Sequence, residues 1–401
     1  MQCFIVVNAG SSSLKLAILE EEKQLAGFSA EHLNSKESKI TAFVSPSYKD
    51  TKYIANLNYE ESLRQIFEII KAEKKEVLRR ITAVGHRIVH GGEHFTQAVV
   101  VDKAVMEKID ALSHLAPLHN PNSLTAIKQC RRELPNIPNI AVFDTSFHHS
   151  LPAKSSTYPL PKAYRDAGIR KYGFHGTSVE FVADKAAKIL RTRKESQSYN
   201  IIVCHLGSGA SVTAVSGQKS VETSMGFSPL AGLMMSTRSG SVDPAIVSYA
   251  VENLGKSADE VLLDLNKNSG LKGMMQGAER SMVRLLEKKR EGDQDAMLAV
   301  EMFVYRLAQY IAASAVAFQG CLDALVFTAG IGRNSAHIRR RCLEQLKPLI
   351  SIEITNDLNA ENGKTTNGVL SPLDVWPVCL VVESNEELAI AKKCDHVLSD
   401  L

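Results

Sequence analysis

Paired cysteines are missing from this chain. Seven of its 401 residues are cysteine: Cys3, Cys130, Cys204, Cys321, Cys342, Cys379 and Cys394. None forms a Cys-x-x-Cys pair, the count is odd, and several sit in apolar runs, which argues against a disulfide framework or structural zinc. The thiols read as reduced core filler. An excess of one charge is missing too. Lys plus Arg is 47 against 44 for Asp plus Glu, so the chain carries no electrostatic footprint for nucleic acid or an anionic membrane. No uninterrupted apolar run approaches the ~20 residues that span a bilayer. The opening Met1-Gln2-Cys3-Phe4-Ile5-Val6-Val7-Asn8 turns polar too soon for a signal peptide, and a cytoplasmic protein is expected. Low-complexity tracts, the Gly-x-x-x-x-Gly-Lys phosphate loop and the His-Glu-x-x-His zinc motif are also absent.

What is present is ordinary globular composition, 44% hydrophobic and 23% charged, over a length that suggests two or three domains at ~150 residues each. Strand-like and helix-like segments alternate, which favours an α/β architecture. Phe4 to Val7 and Leu14 to Leu19 read as strands of a hairpin around Asn8-Ala9-Gly10-Ser11-Ser12-Ser13. Glu60 to Lys71 carries Leu63, Phe67 and Ile70 on one helical face. Asn120-Pro121 reads as a helix start, and Asn139 to Phe143 as a strand ending at Asp144. A second unit is expected after the Pro-containing stretch Leu151 to Pro161. There Thr177 and Glu180 have capping-box spacing ahead of a helical run Val179 to Leu190. Ile201 to Cys204, Ser211 to Val215, Ala324 to Phe327 and Val378 to Val382 read as strands. Pro244 to Asn253, Met297 to Val316 and Glu386 to Leu398 read as helices. One repeat is informative: Val6-Val7-Asn8-Ala9-Gly10-Ser11 resembles Val203-Cys204-His205-Leu206-Gly207-Ser208. Each copy opens one half of the chain, which suggests a duplicated fold with two phosphate-facing hairpins.

The first hairpin and Lys15 offer backbone N–H groups, hydroxyls and a cation to a phosphate; a solvated turn would use the same residues. Gly85-His86-Arg87-Ile88-Val89-His90-Gly91-Gly92 sets Arg87 between apolar residues beside paired glycines. Its planar fork suits a carboxylate or phosphate, or a structural salt bridge. Arg238, in Thr237-Arg238-Ser239-Gly240, has the same two readings. Two such arginines, Asp144 at a strand end and several histidines outline an anion-transfer site rather than a hydrolytic triad.

Together these segments resemble the acetate kinase family. The match rests on Asn8 to Lys15, Gly85 to Gly92, Leu118-His119-Asn120-Pro121, Phe143-Asp144-Thr145 and Tyr172-Gly173-Phe174-His175-Gly176-Thr177-Ser178. Thr237 to Gly240, Thr328-Ala329-Gly330-Ile331-Gly332 and Asn385-Glu386-Glu387-Leu388 follow in the family's order. The resemblance implies two duplicated actin-like ATPase (ribonuclease H-like) α/β domains flanking a cleft. The first would be 1–150 completed by the helix 386–401. The second, 151–385, would carry the nucleotide loops and a homodimer interface. It implies reversible phosphoryl transfer between ATP and acetate, giving acetyl phosphate and ADP, with magnesium, or manganese in its place.

By the same resemblance, Arg87 holds the carboxylate, Arg238 stabilises the transferring phosphoryl group and His175 hydrogen-bonds it. Asp144 orients an arginine or the magnesium shell, and Asn8 and Glu386 sit at the metal. Val89, Leu118, Phe174 and Pro229 surround the methyl group. Ser11, Ser13, Lys15, His205, Leu206, Gly207, Ser208, Gly209, Met282, Val283, Arg284, Gly330, Ile331, Gly332, Arg333 and Asn334 take the nucleotide. Some positions depart from the family pattern: Ser208 stands for Asn, Ser241 for Asp, Arg333 for Glu and Met282 for Asp. Ala231 and Ser236 also differ. A short-chain acyl kinase acting on propionate, or using another donor, stays open, as does a catalytically weak nucleotide-responsive binding protein.

Overall fold

The structure, a computed structural model, describes residues 2–10, 12–44, 48–319 and 321–400. The chain divides into two compact units, Met1–Phe147 with Asn385–Leu401, and His148–Ser384. The second unit thus starts at His148, before the Pro-containing stretch that sequence reading took as its boundary.

The first unit is built on an eight-stranded sheet. Its strands are β1 (Cys3–Ala9), β2 (Ser13–Glu20), β3 (Lys23–Glu31), β4 (Lys39–Val44), β5 (Tyr48–Tyr53), β6 (Ile81–Ile88), β7 (Val99–Val100) and β8 (Asn139–Phe143). Their order is β5-β4-β3-β2-β1-β6-β8-β7. The second unit has β9 (Asn200–Leu206), β10 (Ala210–Ser216), β11 (Lys219–Thr223), β12 (Ala324–Thr328) and β13 (Val378–Val381), ordered β11-β10-β9-β12-β13. Aligning β1 with β9 superposes the two orders: an antiparallel three-strand meander, then two strands added in parallel. The repeat seen in the sequence is therefore a repeat of topology, the duplicated ribonuclease H-like arrangement of the actin-like ATPase fold. Parallel strands need crossovers covered by helices. The near-continuous apolar runs of β8, β12 and β13, buried at every position, reflect that two-sided cover.

Helices Tyr59–Glu73 and Asn120–Glu133 cover one face of the first sheet through Leu63, Ile66, Phe67, Ile70, Ala126 and Cys130. The last helix, Glu386–Ser399, returns to the other face and buries Ile390, Ala391 and Cys394 against Phe4, Ala83 and Val142. Close packing there leaves no room for a side chain at Gly85: a Cβ would lie 2.7 Å from both Cys394 Sγ and Ile390 Cγ2. The helix Gln294–Ala315, with the turn to Phe318, is long and apolar enough by composition to cross a membrane. It buries Ala299, Phe303, Leu307 and Ile311 as one face, with helices Met282–Arg290 and Ala336–Leu346 alongside, as a core helix does.

One local expectation changes. The helix after His175 runs Gly176–Arg191, and Thr177 lies inside it with its hydroxyl buried and unpartnered, so Thr177 and Glu180 form no capping box. His175 itself caps the helix in a left-handed conformation, φ 62°. The segment after β12 forms a short helix, Ala329–Asn334.

Candidate active site

In the first unit, strand register gathers the polar residues. Asn8 lies opposite Lys15 on β2 and Arg87 on β6, so the three form one row across the sheet. Asp144 follows β8 directly, tied by its N–H to the Ile88 carbonyl at 2.9 Å. The Arg87 guanidinium donates to Asp144 through Nε (3.0 and 3.1 Å) and Nη2 (2.6 Å). Its Nη1 reaches Asn8 Oδ1 at 3.2 Å and the Glu386 carboxylate at 3.7 Å. Burial opposes the charge on Arg87, but Asp144 and Glu386 outweigh it, and the arginine pKa is raised. Burial also pushes the Asp144 carboxyl above its ordinary value against the pull of that arginine. Arg87 thus stays cationic, its Nε side locked and its Nη1 side facing neutral and carboxylate oxygens.

Those oxygens suit a hard cation. Among the described residues no cluster of three or more His, Cys, Asp or Glu could cage a metal. Asn8 Oδ1 and the Glu386 carboxylate form the sparse oxygen set that magnesium accepts while keeping several waters and binding substrate phosphates. The first hairpin is pinned beside them: the Gly10 carbonyl accepts from Tyr59 Oη (2.5 Å) and Asn122 Nδ2 (3.0 Å). Ser13 begins β2 and Lys15 is exposed on it. Ser11 lies outside the described residues.

The second unit carries its own cluster at the equivalent hairpin. His205 occupies the position of Asn8, opposite Ser211 and Thr328. His175 bonds Ser211 Oγ through Nδ1 at 3.0 Å and stacks on the His205 ring at 4.3 Å. His205 in turn bonds Ser178 Oγ at 2.9 Å. Arg238 donates from Nη1 to the Pro229 carbonyl at 2.9 Å. Gly209 brings the hairpin close: a Cβ there would lie 3.1 Å from His175 Nε2 and 3.5 Å from Arg238 Nη1. His175, Arg238 and the hairpin are therefore neighbours.

A residue that sequence reading missed, His148, fixes this cluster. Its Nε2 donates to the Phe174 carbonyl at 2.9 Å and its Nδ1 accepts from Ser220 Oγ at 2.8 Å. Burial drives its pKa down to about 4, so it is neutral and keeps that tautomer. Phe174 is buried, as is Val89, whereas Leu118 is exposed.

A cavity of about 520 Å³ lies within the second unit. Gly207, Ser208, Met282, Val283, Gly330, Ile331 and Asn334 line it, as the resemblance implies for the nucleotide. Ser236, Arg280, Ser281, Leu286, Arg290 and Ser335 line it too and were not anticipated. Helical spacing held the missing signal: Met282, Leu286 and Arg290 stand four apart on the helix Met282–Arg290. Two residues that the resemblance assigns to the nucleotide do not line this cavity. Arg284 is two residues round from Met282 and pairs with the half-buried Glu287. Arg333 points away to Glu383 and lines a different cavity. His205, Leu206, Gly209 and Gly332 shape the surroundings without lining the pocket.

The Acetokinase family profile matches residues 3–392. An acetate kinase of Thermotoga petrophila is 41% identical over 406 residues, covering 99% of each chain. A propionate kinase structure from Francisella tularensis superposes with a TM-score of 0.90 at 38% identity, over 98% of this chain and 99% of that one. The Porphyromonas gingivalis acetate kinase structure gives 0.90 at 32%, over 99% and 100%. Fold and match together define a phosphotransferase with a carboxyl group as acceptor, and one that uses ATP. The chain belongs to the acetokinase family.

Proposed function

We propose that this chain transfers the γ-phosphoryl group of ATP reversibly to acetate, giving acetyl phosphate and ADP, with propionate as an alternative acid. The observation that carries this reading is the Arg87 fork, clamped by Asp144 on one side and presented to Asn8 and Glu386 on the other. A phosphoryl-transfer transition state spreads charge over its equatorial oxygens, so catalysis is mainly positioning and electrostatics. Acetate is already a nucleophile and needs no general base. Arg87 holds the acid carboxylate, and Asp144 acts as its positioning residue. Arg238 and His175 donate to the phosphoryl oxygens, with His175 oriented by Ser211. Val89, Leu118, Phe174 and Pro229 contact the methyl group; such contacts give only ~1–3 kcal/mol per methylene, which leaves propionate competitive. The 520 Å³ cavity takes the nucleoside. Asn8 and Glu386 hold magnesium, which neutralises nucleotide phosphate charge when bound.

The protein acts in the cytoplasm as a homodimer. Ile246, Tyr249, Leu262 and Leu263 on helices Ala245–Asn253 and Ala258–Lys267, with Leu254 just past the first, leave an exposed apolar surface, and a second copy covers it. Trapping acyl phosphate with hydroxylamine tests the reaction. ATP with acetate or propionate should yield hydroxamate, and no product with either acid would overturn the assignment in favour of a nucleotide-binding protein without turnover.

A further inference from the structure

A second cavity, of about 730 Å³, also lies wholly within the second unit. Its lining includes four cationic side chains, Lys185, Lys188, Arg333 and Lys364, and one carboxylate, Glu383. They come from three separate segments: the helix Gly176–Arg191, the helix Ala329–Asn334 and the turn that begins at Gly363. Lys188 is paired with Asp184 at 2.8 Å, and Lys185 lies over the Phe181 ring at 4.5 Å. The Arg333–Glu383 pair is exposed on both sides, so it is weak and exchangeable.

Exposed lysines alone would describe an ordinary solvated groove. The buried residue behind them does not. Arg339 is fully buried, and every hydrogen bond it makes goes to a neutral oxygen. Nη1 donates to the carbonyls of Gly332 (2.8 Å) and Arg333 (2.7 Å). Nη2 donates to Asn359 O (2.6 Å) and Asn362 Oδ1 (2.7 Å), and Nε to Asn359 Oδ1 (2.8 Å). A buried guanidinium commonly has a carboxylate beside it. This one instead holds two residues of the cavity lining, Arg333 and Asn362, and adds its charge to the field there.

We propose that this cavity is a binding site for a multivalent phosphate anion, an oligophosphate, distinct from the nucleotide cavity. The cations supply the charge, Asn334, Asn362 and Asn367 supply neutral donors, and Arg339 keeps the lining rigid. The ligand displaces Glu383 from Arg333. The same chemistry is available from a free oligophosphate or from the tail of a second nucleoside triphosphate. Asn334 lines both cavities.

The test is calorimetric titration of the full-length protein with inorganic tripolyphosphate. Wild type should bind it saturably, and Lys364→Glu and Arg333→Glu should each weaken binding roughly tenfold or more. Both residues are exposed, and unchanged melting temperatures would confirm that the variants are folded. A parallel ATP titration separates the sources. Two ATP per chain in wild type but one in Lys364→Glu identifies a nucleotide tail; one in both identifies a free oligophosphate. Absence of saturable tripolyphosphate binding overturns the proposal, as does equal affinity in the charge-reversed variants. Neither readout uses acyl phosphate formation, so its outcome is independent of the proposed reaction.

Discussion

Arg87 and Asp144 depend on each other through geometry that neither can keep alone. The carboxylate is almost wholly buried and the guanidinium largely so. Removing one partner strands the other charge in low dielectric, at about 3–5 kcal/mol. Arg87→Ala and Asp144→Ala should each lower unfolding free energy by about that amount, while the double variant should lose much less than the sum. Additive losses in denaturant titrations would show that the pair is not coupled. For activity, Arg87→Lys should rescue poorly, because an ammonium cannot grip Asp144 and still present a second donor edge. Arg238→Ala should cut turnover by orders of magnitude; near-normal turnover in a folded variant would remove Arg238 from the transfer step.

Two histidines give the stability a pH dependence whose sign follows from burial. His86 and His148 are both held at about 4 by desolvation, against an ordinary value near 6.5. His86 donates Nε2–H to Asn139 Oδ1 at 2.7 Å, and its Nδ1 is buried without a partner, so protonation would create an unpaired buried cation. Both are neutral in the folded protein, while the unfolded chain takes up protons below pH 6.5. Their stabilisation is complete above that pH and is lost as pH falls towards 4, by about 2 kcal/mol each between pH 7 and 5. His86→Gln should remove about half of this combined loss in urea midpoints measured at the two pH values. An unchanged slope would contradict the assigned neutral state.

At the scale of elements, the hairpins and the helix Met282–Arg290 set the chemistry. Gly209 is where the β9–β10 hairpin meets His175 and Arg238; an added methyl would lie 3.1 Å from His175 Nε2, so that ring must give slightly, while the 3.5 Å approach to Arg238 Nη1 is ordinary contact. Misplacement on the order of 1 Å can cost about 100-fold in rate, and a smaller shift costs less. Gly209→Ala should therefore lower kcat several-fold while the melting temperature hardly moves. Wild-type kcat would show that the hairpin does not need this close approach. Met282 lines the 520 Å³ cavity proposed for the nucleoside, where the family pattern carries a carboxylate, so on that proposal fewer polar groups read the nucleoside. Discrimination among ATP, GTP and CTP should be weak, and Met282→Asp should sharpen it. Strict ATP use by the wild type would make the substitution neutral drift. Much of this layer was legible in the sequence, because glycine-rich turns between apolar runs mark hairpins and their repetition marks duplication. That Arg284 and Arg333 lie outside the 520 Å³ cavity was not legible, because a linear motif does not say which face of a helix each residue occupies. His148 escaped notice because its role is a hydrogen bond to the backbone of a segment 26 residues away.

At the scale of the whole molecule, five strands of the first sheet share the order of the second, yet their central positions have diverged: Asn8 with Arg87 in one, His205 with Thr328 in the other. The exposed apolar residues around Tyr249 are the surface proposed for the second copy. Sedimentation should give twice 43.9 kDa, and Tyr249→Asp with Ile246→Asp should shift it to the monomer. A wild-type monomer at micromolar concentration would contradict the homodimer. The composition narrowed the classes of function to expect, but the exposed apolar cluster proposed as the partner surface was hidden, since exposed apolar residues on an amphipathic helix look like core residues until the fold places them.

The central claim, phosphoryl exchange between a nucleotide and a short-chain carboxylate, is tested most directly in the reverse direction by phosphorus NMR. Purified protein with magnesium, ADP and acetyl phosphate should show acetyl phosphate decay matched by growth of the ATP γ-phosphoryl resonance, and Arg87→Ala should abolish it. Acetyl phosphate that is stable in the presence of wild-type protein, or that decays only to inorganic phosphate, would contradict the account.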